Sequence, residues 1–323
     1  MTAWSARLPD PVPATRSGPG SPAPRSTLGR REAAWALLFI SPWIVGFLAF
    51  TFIPMVATFV FTFTNVTLDP SVPLRFVGLD NWAQLLADQQ TWQSLGITLK
   101  FALLMVPLGV LTPLAVAILL NSPSLRASSV FRILFFIPYV VPFVASVLIW
   151  NQMLNPSGGW VALALSWFGI ESPNFLQDTT WIYPGLAFIG IWAIGGAVIV
   201  YLAGLRGIPT ELYDAAKIDG AGSWAQLRHV TLPLLTPVIF YTLVLGIVDV
   251  LQYFLVPLVL NQGTGEPGGT TNFLNLYIYK NFFAYQNMSY GATLAWLLFA
   301  ITLVITGVVF GTARRWVYYA GER

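Results

Sequence analysis

The sequence predicts an all-α fold, a polytopic transmembrane helical bundle of about six spans, and three observations carry that expectation. Of the 323 residues, 56% are hydrophobic and only 9% are charged, with a mean hydropathy of +0.70. A soluble globular chain carries about 25% charged residues, so too little polar surface remains here to solvate a protein of this size. The apolar residues also fall in discrete runs, each near or above the roughly 20 residues needed to cross a bilayer core as a helix. Finally, Pro107, Pro113, Pro138, Pro142, Pro184, Pro237 and Pro257 sit in or beside those runs. Bent or broken helices are tolerated in lipid only where protein or a wet cavity satisfies the freed backbone groups. The proline pattern therefore favours a transport pathway over a simple anchor.

Residues 1–32 are rich in Pro, Ser, Gly and Arg, bury too little to offset ordering entropy, and read as a disordered tail. They lack the short apolar core and small-residue cleavage site of a secretory signal. The spans are expected at about 33–63, 97–120, 130–153, 182–205, 234–260 and 290–313, within a membrane domain covering 33–315, followed by a short tail at 316–323. The first run is long and punctuated by Pro42 and Pro54, so a kinked or partly interfacial start is expected. Thirteen of the sixteen Lys and Arg residues fall on one side of this arrangement; only Arg75, Lys100 and Lys280 fall on the other. By the positive-inside rule, both termini and the fourth-to-fifth connection are cytoplasmic, in a multi-pass protein of the cell membrane. Connections 64–96, 154–181 and 261–289 then face outward. The last contains Gly263, Gly265, Gly268 and Gly269, without the strand–loop–helix setting or Lys-Ser/Thr ending of a phosphate cradle, and reads as a flexible loop.

One polar island, residues 207–233, interrupts the apolar pattern on the cytoplasmic side. Pro209 suits a first helical turn, and Asp219-Gly220 suits a helix end because glycine adopts the left-handed conformation without strain. Ser223 and Gln226 have the spacing of a capping box that starts a second helix, and Pro233 is expected to stop it. Two short helices joined by a tight turn result.

Asp214-Ala215-Ala216, Asp219-Gly220, Val230 and Leu232-Pro233, in that fixed spacing, resemble the EAA loop of binding-protein-dependent ABC importer permeases, in the carbohydrate-uptake branch. Asp214 replaces the usual Glu, Val230 the usual Ile, and Leu227 a common Phe. Phe76-Val77-Gly78-Leu79-Asp80-Asn81-Trp82 and the stretch from Tyr277 to Ala292 also resemble that branch, so the likeness covers roughly residues 35–315. The resemblance implies a type I ABC importer permease fold and a coupling loop that docks on a separate ATPase. It further implies a second, similar permease, two ATPase subunits that bind ATP and Mg, and an extracytoplasmic solute-binding protein or lipoprotein. A sugar, mono- or oligosaccharide, is the implied solute; glycerol-3-phosphate or a phosphodiester is the alternative within the branch. Gly220 would mark the sharp turn and Asp214 a polar contact with the ATPase.

The residues themselves support a docking surface. Glu211, Asp214 and Asp219 offer carboxylates, Ala215 and Ala216 keep the first helix thin, and Leu212, Ile218 and Trp224 supply apolar anchors, beside Leu232 and Pro233. Catalytic readings find no support. The chain has no cysteine and a single histidine, His229, so thiol chemistry and clustered metal ligands are excluded. No Walker-type loop occurs, no cofactor is expected in this chain, and no nucleic-acid partner. For the solute pathway, Asp249 is the one carboxylate deep within an apolar run, and Gln252 and Tyr253 follow at i+3 and i+4, so all three are expected to share one helix face. Asn151 is a weaker candidate. A secondary transporter would leave the polar island unexplained, and a membrane-embedded hydrolase lacks a catalytic cluster.

Overall fold

A computed structural model describes residues 27–122 and 125–318; the expectations for 1–26 and 319–323 lie outside the described residues. The helices are α1 (Thr27–Phe47), α2 (Ile53–Phe61), α3 (Asp80–Ala87), α4 (Gln89–Asn121), α5 (Ser128–Val140), α6 (Phe143–Met153), α7 (Trp160–Ser166) and α8 (Ile182–Trp192). They continue with α9 (Gly195–Arg206), α10 (Thr210–Ile218), α11 (Ser223–Gln226), α12 (Leu232–Leu251), α13 (Leu255–Leu260), α14 (Leu274–Tyr279) and α15 (Met288–Trp316). Single π-helical turns lie at Leu48–Phe52, Leu227–Thr231 and Lys280–Ala284. Among the described residues the only β pairing is an isolated bridge between Thr64 and Phe76. Among the described residues, four helical stretches are long and apolar enough to cross a membrane, and two bent pairs raise the number to six if each pair is one span.

The chain divides into two compact units, one up to Ala57 and one from Thr58. In the first, helix begins at Thr27, inside the stretch expected to be a tail, and continues past Pro42. Trp43 stacks on Phe47 one turn later, with ring centroids 5.5 Å apart. Pro54 lacks an N–H and would crowd the carbonyl four residues before it. The π turn at Leu48–Phe52 sits directly ahead of it, with the Ile53 N–H reaching Leu48 O, and widens the helix where that clash would fall. The stretch Arg31–Phe61 is therefore a single candidate span rather than a segment broken at its prolines.

The second unit is built around α4. Asp88 caps its N-terminus, accepting from the Gln90 N–H at 2.9 Å, so the helix starts eight residues before the expected span. Pro107 and Pro113 lie inside α4 without breaking it. Breaks occur instead in the third and fourth spans: α5 and α6 meet at 103° and α8 and α9 at 54°. Pro142 stands at the first break. The second carries no proline; there Gly195 lies against the backbone of Phe135 and Phe136, and Gly196 against the Tyr139 ring, so close packing on α5 sets the bend. The Phe76–Trp82 stretch closes the loop after α2. Gly78 takes a φ of +61°, and buried Asn81 donates to Thr62 O and Thr64 O, each at 2.9 Å.

Helix α4 packs against both α9 and α12. Their shared core is Leu114, Ala117, Leu120, Val198, Tyr201, Leu202, Leu205 and Leu235. A Cβ added to Gly204 would lie 2.8 Å from Val238 Cγ2 and 3.0 Å from Leu235 Cδ2, so α9 and α12 approach within glycine contact. The Tyr201 hydroxyl is hydrogen-bonded to Thr242 Oγ1 across the same interface. Gly204→Ala is expected to cost about 1–2 kcal/mol through overpacking, read as a lower unfolding temperature in detergent. Unchanged thermal stability would mean that the two helices do not approach so closely.

Candidate coupling hairpin and solute pathway

The polar island folds as two helices and a turn. Helix α10 starts at Thr210, with Pro209 just before it, Glu211 in its first turn and Lys217 in its last, both suited to the helix dipole. Lys217 Nζ bonds Asp214 Oδ1 at 2.9 Å, an exposed pair worth little in stability. The helix ends in a Schellman turn. Gly220 has a φ of +79°, its N–H reaches Lys217 O at 3.0 Å, and the Ala221 N–H reaches Ala216 O at 2.8 Å.

The second helix departs from expectation at both ends. Ser223 is its first residue and makes no cap; Gly222 holds the cap position, and Gln226 Nε2 donates to Ala221 O at 2.8 Å, so the capping box does not form. Nor does Pro233 stop the helix. Residues Ser223–Leu260 form one candidate span that includes the hairpin's second arm. The π turn at Leu227–Thr231 precedes Pro233 as the one at Leu48–Phe52 precedes Pro54, and the Leu232 N–H bonds Leu227 O. The arm and α12 are thus mechanically continuous.

The hairpin is held at its base and open at its tip. The Tyr213 hydroxyl is hydrogen-bonded to Thr231 Oγ1 at 3.0 Å. Tyr213, Val230 and Leu232 pack against the α4–α9–α12 core, and Pro233 is half-buried beside them. Ala216 is also half-buried, whereas Ala215 and Asp219 are exposed. Ile218 is 87% exposed, Trp224 73% and Leu212 42%. Covering such side chains is worth about 1.5–3 kcal/mol each, so the tip presents an exposed apolar surface. His229 Nδ1 lies 3.0 Å from Ala225 O within its own helix.

The pathway candidates do not form one group. Asp249 is exposed on α12 and Gln252 is exposed at its C-terminal cap, where its carbonyl accepts from Asn275 Nδ2 at 2.8 Å. Tyr253 does not share their face. The helix ends at Leu251, and the Tyr253 ring turns inward onto Phe101 and Phe273, with centroids at 4.8 Å and 5.2 Å. The 3.6-residue period that would align Tyr253 with Asp249 stops at the helix end. Asn151 lines a cleft of about 200 Å³ with Asn155, Asn174 and Gln177. Gln177 also lines a neighbouring cleft of about 380 Å³ with Asn261, Gln262, Thr264 and Glu266. Sequence reading passed over Asn174, Gln177 and Gln262, although their amides cluster in two connections read as outward.

The Gly-rich segment is tied rather than loose. Lys280 Nζ donates to Thr264 O at 3.1 Å and to Asn272 Oδ1 at 2.9 Å, and burial lowers its pKa. Gly268 N donates to Glu266 Oε2, and Thr271 Oγ1 to Glu266 O, each at 2.7 Å. The positive φ values at Gly263, Gly265, Gly268 and Gly269 let the backbone turn around these ties.

Residues 105–319 match the family described as the binding-protein-dependent transport system inner membrane component. The chain belongs to this family. Among its relatives is the trehalose/maltose transport system permease of Thermococcus litoralis, 32% identical over 291 residues, which cover 90% of this chain and 97% of the relative. Another is the lactose transport system permease of Rhizobium radiobacter, 32% identical over 294 residues, covering 90% and 97%. The fold is similar to that of a bacterial ABC transporter that imports the acidic polysaccharide alginate, with a TM-score of 0.75, 25% identity, and coverage of 89% of this chain and 97% of that one. The fold is thus that of a type I ABC importer permease, and this permease is a multi-pass membrane protein.

Proposed function

We propose that this permease forms half of the translocation pathway for a sugar, a mono- or oligosaccharide, and takes its driving force from a separate ATPase gripping the hairpin at 207–233. The observation that carries the reading is the hairpin's construction. An exposed apolar tip, Ile218 and Trp224, stands on a base locked to α9 and α12, the helices that flank it. A partner that holds the tip and moves therefore moves both helices, and α4 with them. Two ATPase subunits binding ATP and Mg, a second permease completing the pathway, and an extracytoplasmic solute-binding protein make up the assembly. Both termini and the hairpin face the cytoplasm in this reading, which the Lys and Arg asymmetry supports. The sugars named for the relatives, trehalose, maltose and lactose, support a sugar as the solute. Uptake of labelled disaccharides into vesicles containing the assembled complex tests this. Transport is expected to need ATP inside and to stop with vanadate; uptake indifferent to both overturns the reading.

Asp249 and Gln252 are proposed to bond sugar hydroxyls from the exposed face of α12. Asp249→Ala is then expected to lower uptake about ten-fold, the effect of losing one or two hydrogen bonds to a charged group, with complex assembly intact. Loss of assembly instead would make Asp249 a contact between subunits.

A further inference from the structure

One cleft in the permease is used by neither the hairpin nor the solute candidates. It lies between α5 and α9, encloses about 360 Å³, and is lined by Arg132, Phe135, Phe136, Val198, Leu202 and Arg206 among others. On α9 the lining residues are Gly195, Val198, Ile199, Leu202, Ala203 and Arg206, a single face at helical spacing. From Gly195 to Arg206 is eleven residues, a rise of about 16 Å at 1.5 Å per residue. The cleft therefore runs about half the 30 Å thickness of a hydrocarbon core, the depth of one leaflet. Its walls are apolar apart from two charged residues, both arginines.

Those arginines lack counter-charge. No acidic residue lines the cleft, and neither arginine forms an ion pair within the described residues. Arg132 spends one terminal nitrogen on Leu120 O, at 3.3 Å and at the C-terminal end of α4. Its Nε is buried and has no hydrogen-bond partner. Arg206 is exposed in the last turn of α9, directly before the hairpin. A buried guanidinium N–H without an acceptor is costly, and an anion arriving there satisfies it.

We infer that the cleft between α5 and α9 is a binding site for an anionic phospholipid of the leaflet on the hairpin side. An acyl chain lies along the Gly195–Leu202 face, and the headgroup phosphate is held by Arg132 and Arg206. The occupant is identified by the joining of the two features: a free phosphate has no use for the apolar trough, and a neutral lipid none for two unpaired cations. The site rests on membrane insertion and on this cleft, not on the nature of the solute. It also places a lipid against the two helices whose close packing sets the bend between α8 and α9.

Native mass spectrometry of the assembled complex, equilibrated with equal phosphatidylglycerol and phosphatidylcholine, tests the site. Wild type is expected to retain phosphatidylglycerol selectively, and each of Arg132→Gln and Arg206→Gln to weaken that retention about five-fold. Arg132→Lys with Arg206→Lys keeps the charge and is expected to keep most of the selectivity, which separates a lost contact from a misfolded chain. The pair Arg314→Gln and Arg315→Gln removes the same charge from the end of α15 and is expected to leave selectivity unchanged. Equal loss in that control, or no loss with Arg132→Gln and Arg206→Gln combined, overturns the proposal. So does displacement of the lipid by inorganic phosphate, which would assign the site to a free anion. The chain has no cysteine, so Ile199→Cys places a single thiol in the trough. Efficient cross-linking of that thiol to another polypeptide would show a protein helix in the cleft and overturn the proposal as well.

Discussion

Gly220→Pro is expected to abolish ATP-driven uptake while the permease still inserts and assembles its bundle. At this position the backbone has a φ of +79°, whereas proline is held near −65°. Proline also removes the N–H that reaches Lys217 O at 3.0 Å, so the Schellman turn loses one of its two bonds. A non-glycine residue in this left-handed conformation costs about 1–2 kcal/mol; proline cannot adopt it and must reorient the turn. The damage stays local. Gly220 is exposed, nothing lies within 4 Å of the position of a Cβ, and the hairpin's base is fixed separately through Tyr213 and Thr231. What changes is the placement of Ile218 and Trp224, which stand on opposite sides of the turn and must meet one partner surface together. Gly220→Asn, which tolerates the left-handed region, is expected to retain much of the activity, and Gly220→Ala to fall between the two. The measurements are solute uptake and ATP hydrolysis in the same vesicles, with hydrolysis persisting in the proline variant and uptake at background. Normal uptake by Gly220→Pro would remove the hairpin from the coupling path.

The span order and the hairpin were legible in the sequence because both rest on local physics. An apolar run of sufficient length has few alternatives in lipid, and Asp219-Gly220 after a short helical pattern has one favoured geometry. The failures share a cause of the opposite kind. The bend between α8 and α9 carries no local mark, since Gly195 and Gly196 are explained only by Phe135, Phe136 and Tyr139 on another helix. The helix end that separates Tyr253 from Asp249 is equally silent, because an aromatic cluster with Phe101 and Phe273 claims the tyrosine from 152 and 20 residues away. Proline was over-read at Pro233 and Pro54, where a π turn absorbs the missing donor, and rightly noticed at Pro142. Ser223 and Gln226 had the spacing of a capping box, but the Ala221 carbonyl competes for the glutamine and wins. Asp88 went unnoticed altogether, although its placement before an apolar run, with Thr91 three residues on, is a helix-start signal.

Asp88→Ala is expected to destabilise the permease by about 3 kcal/mol, because one carboxylate fastens three helices. Its Oδ2 accepts from the hydroxyls of Tyr290 at 2.6 Å, Thr91 at 2.8 Å and Tyr277 at 2.8 Å, and its Oδ1 from the Gln90 N–H at 2.9 Å. Helix α4 thereby holds α14 and the start of α15. Losing a helix cap costs about 1 kcal/mol, and hydrogen bonds to a charged group contribute about 1.5–3 kcal/mol. Partial exposure of the site lets water recover some of that. Partial burial raises the Asp88 pKa, but the bonds from Tyr290, Thr91, Tyr277 and the Gln90 N–H outweigh it, so the pKa is lowered overall. The sign follows. The carboxylate contributes its full stabilisation above the ordinary aspartate value of about 3.9 and loses it as pH falls through the lowered value. Tyr277 bounds the other side: burial, and then its bond to Asp88, push its pKa up to about 12. Its contribution is complete below the usual phenol value of about 10 and is lost as pH rises toward 12. The stability gap between wild type and Asp88→Ala should therefore be widest and flat between about pH 4 and pH 10 and narrow on both sides. Thermal unfolding of the two proteins in detergent across that range measures it. A gap that does not vary with pH would mean that Asp88 acts by shape rather than by charge, and Asp88→Asn would then match wild type.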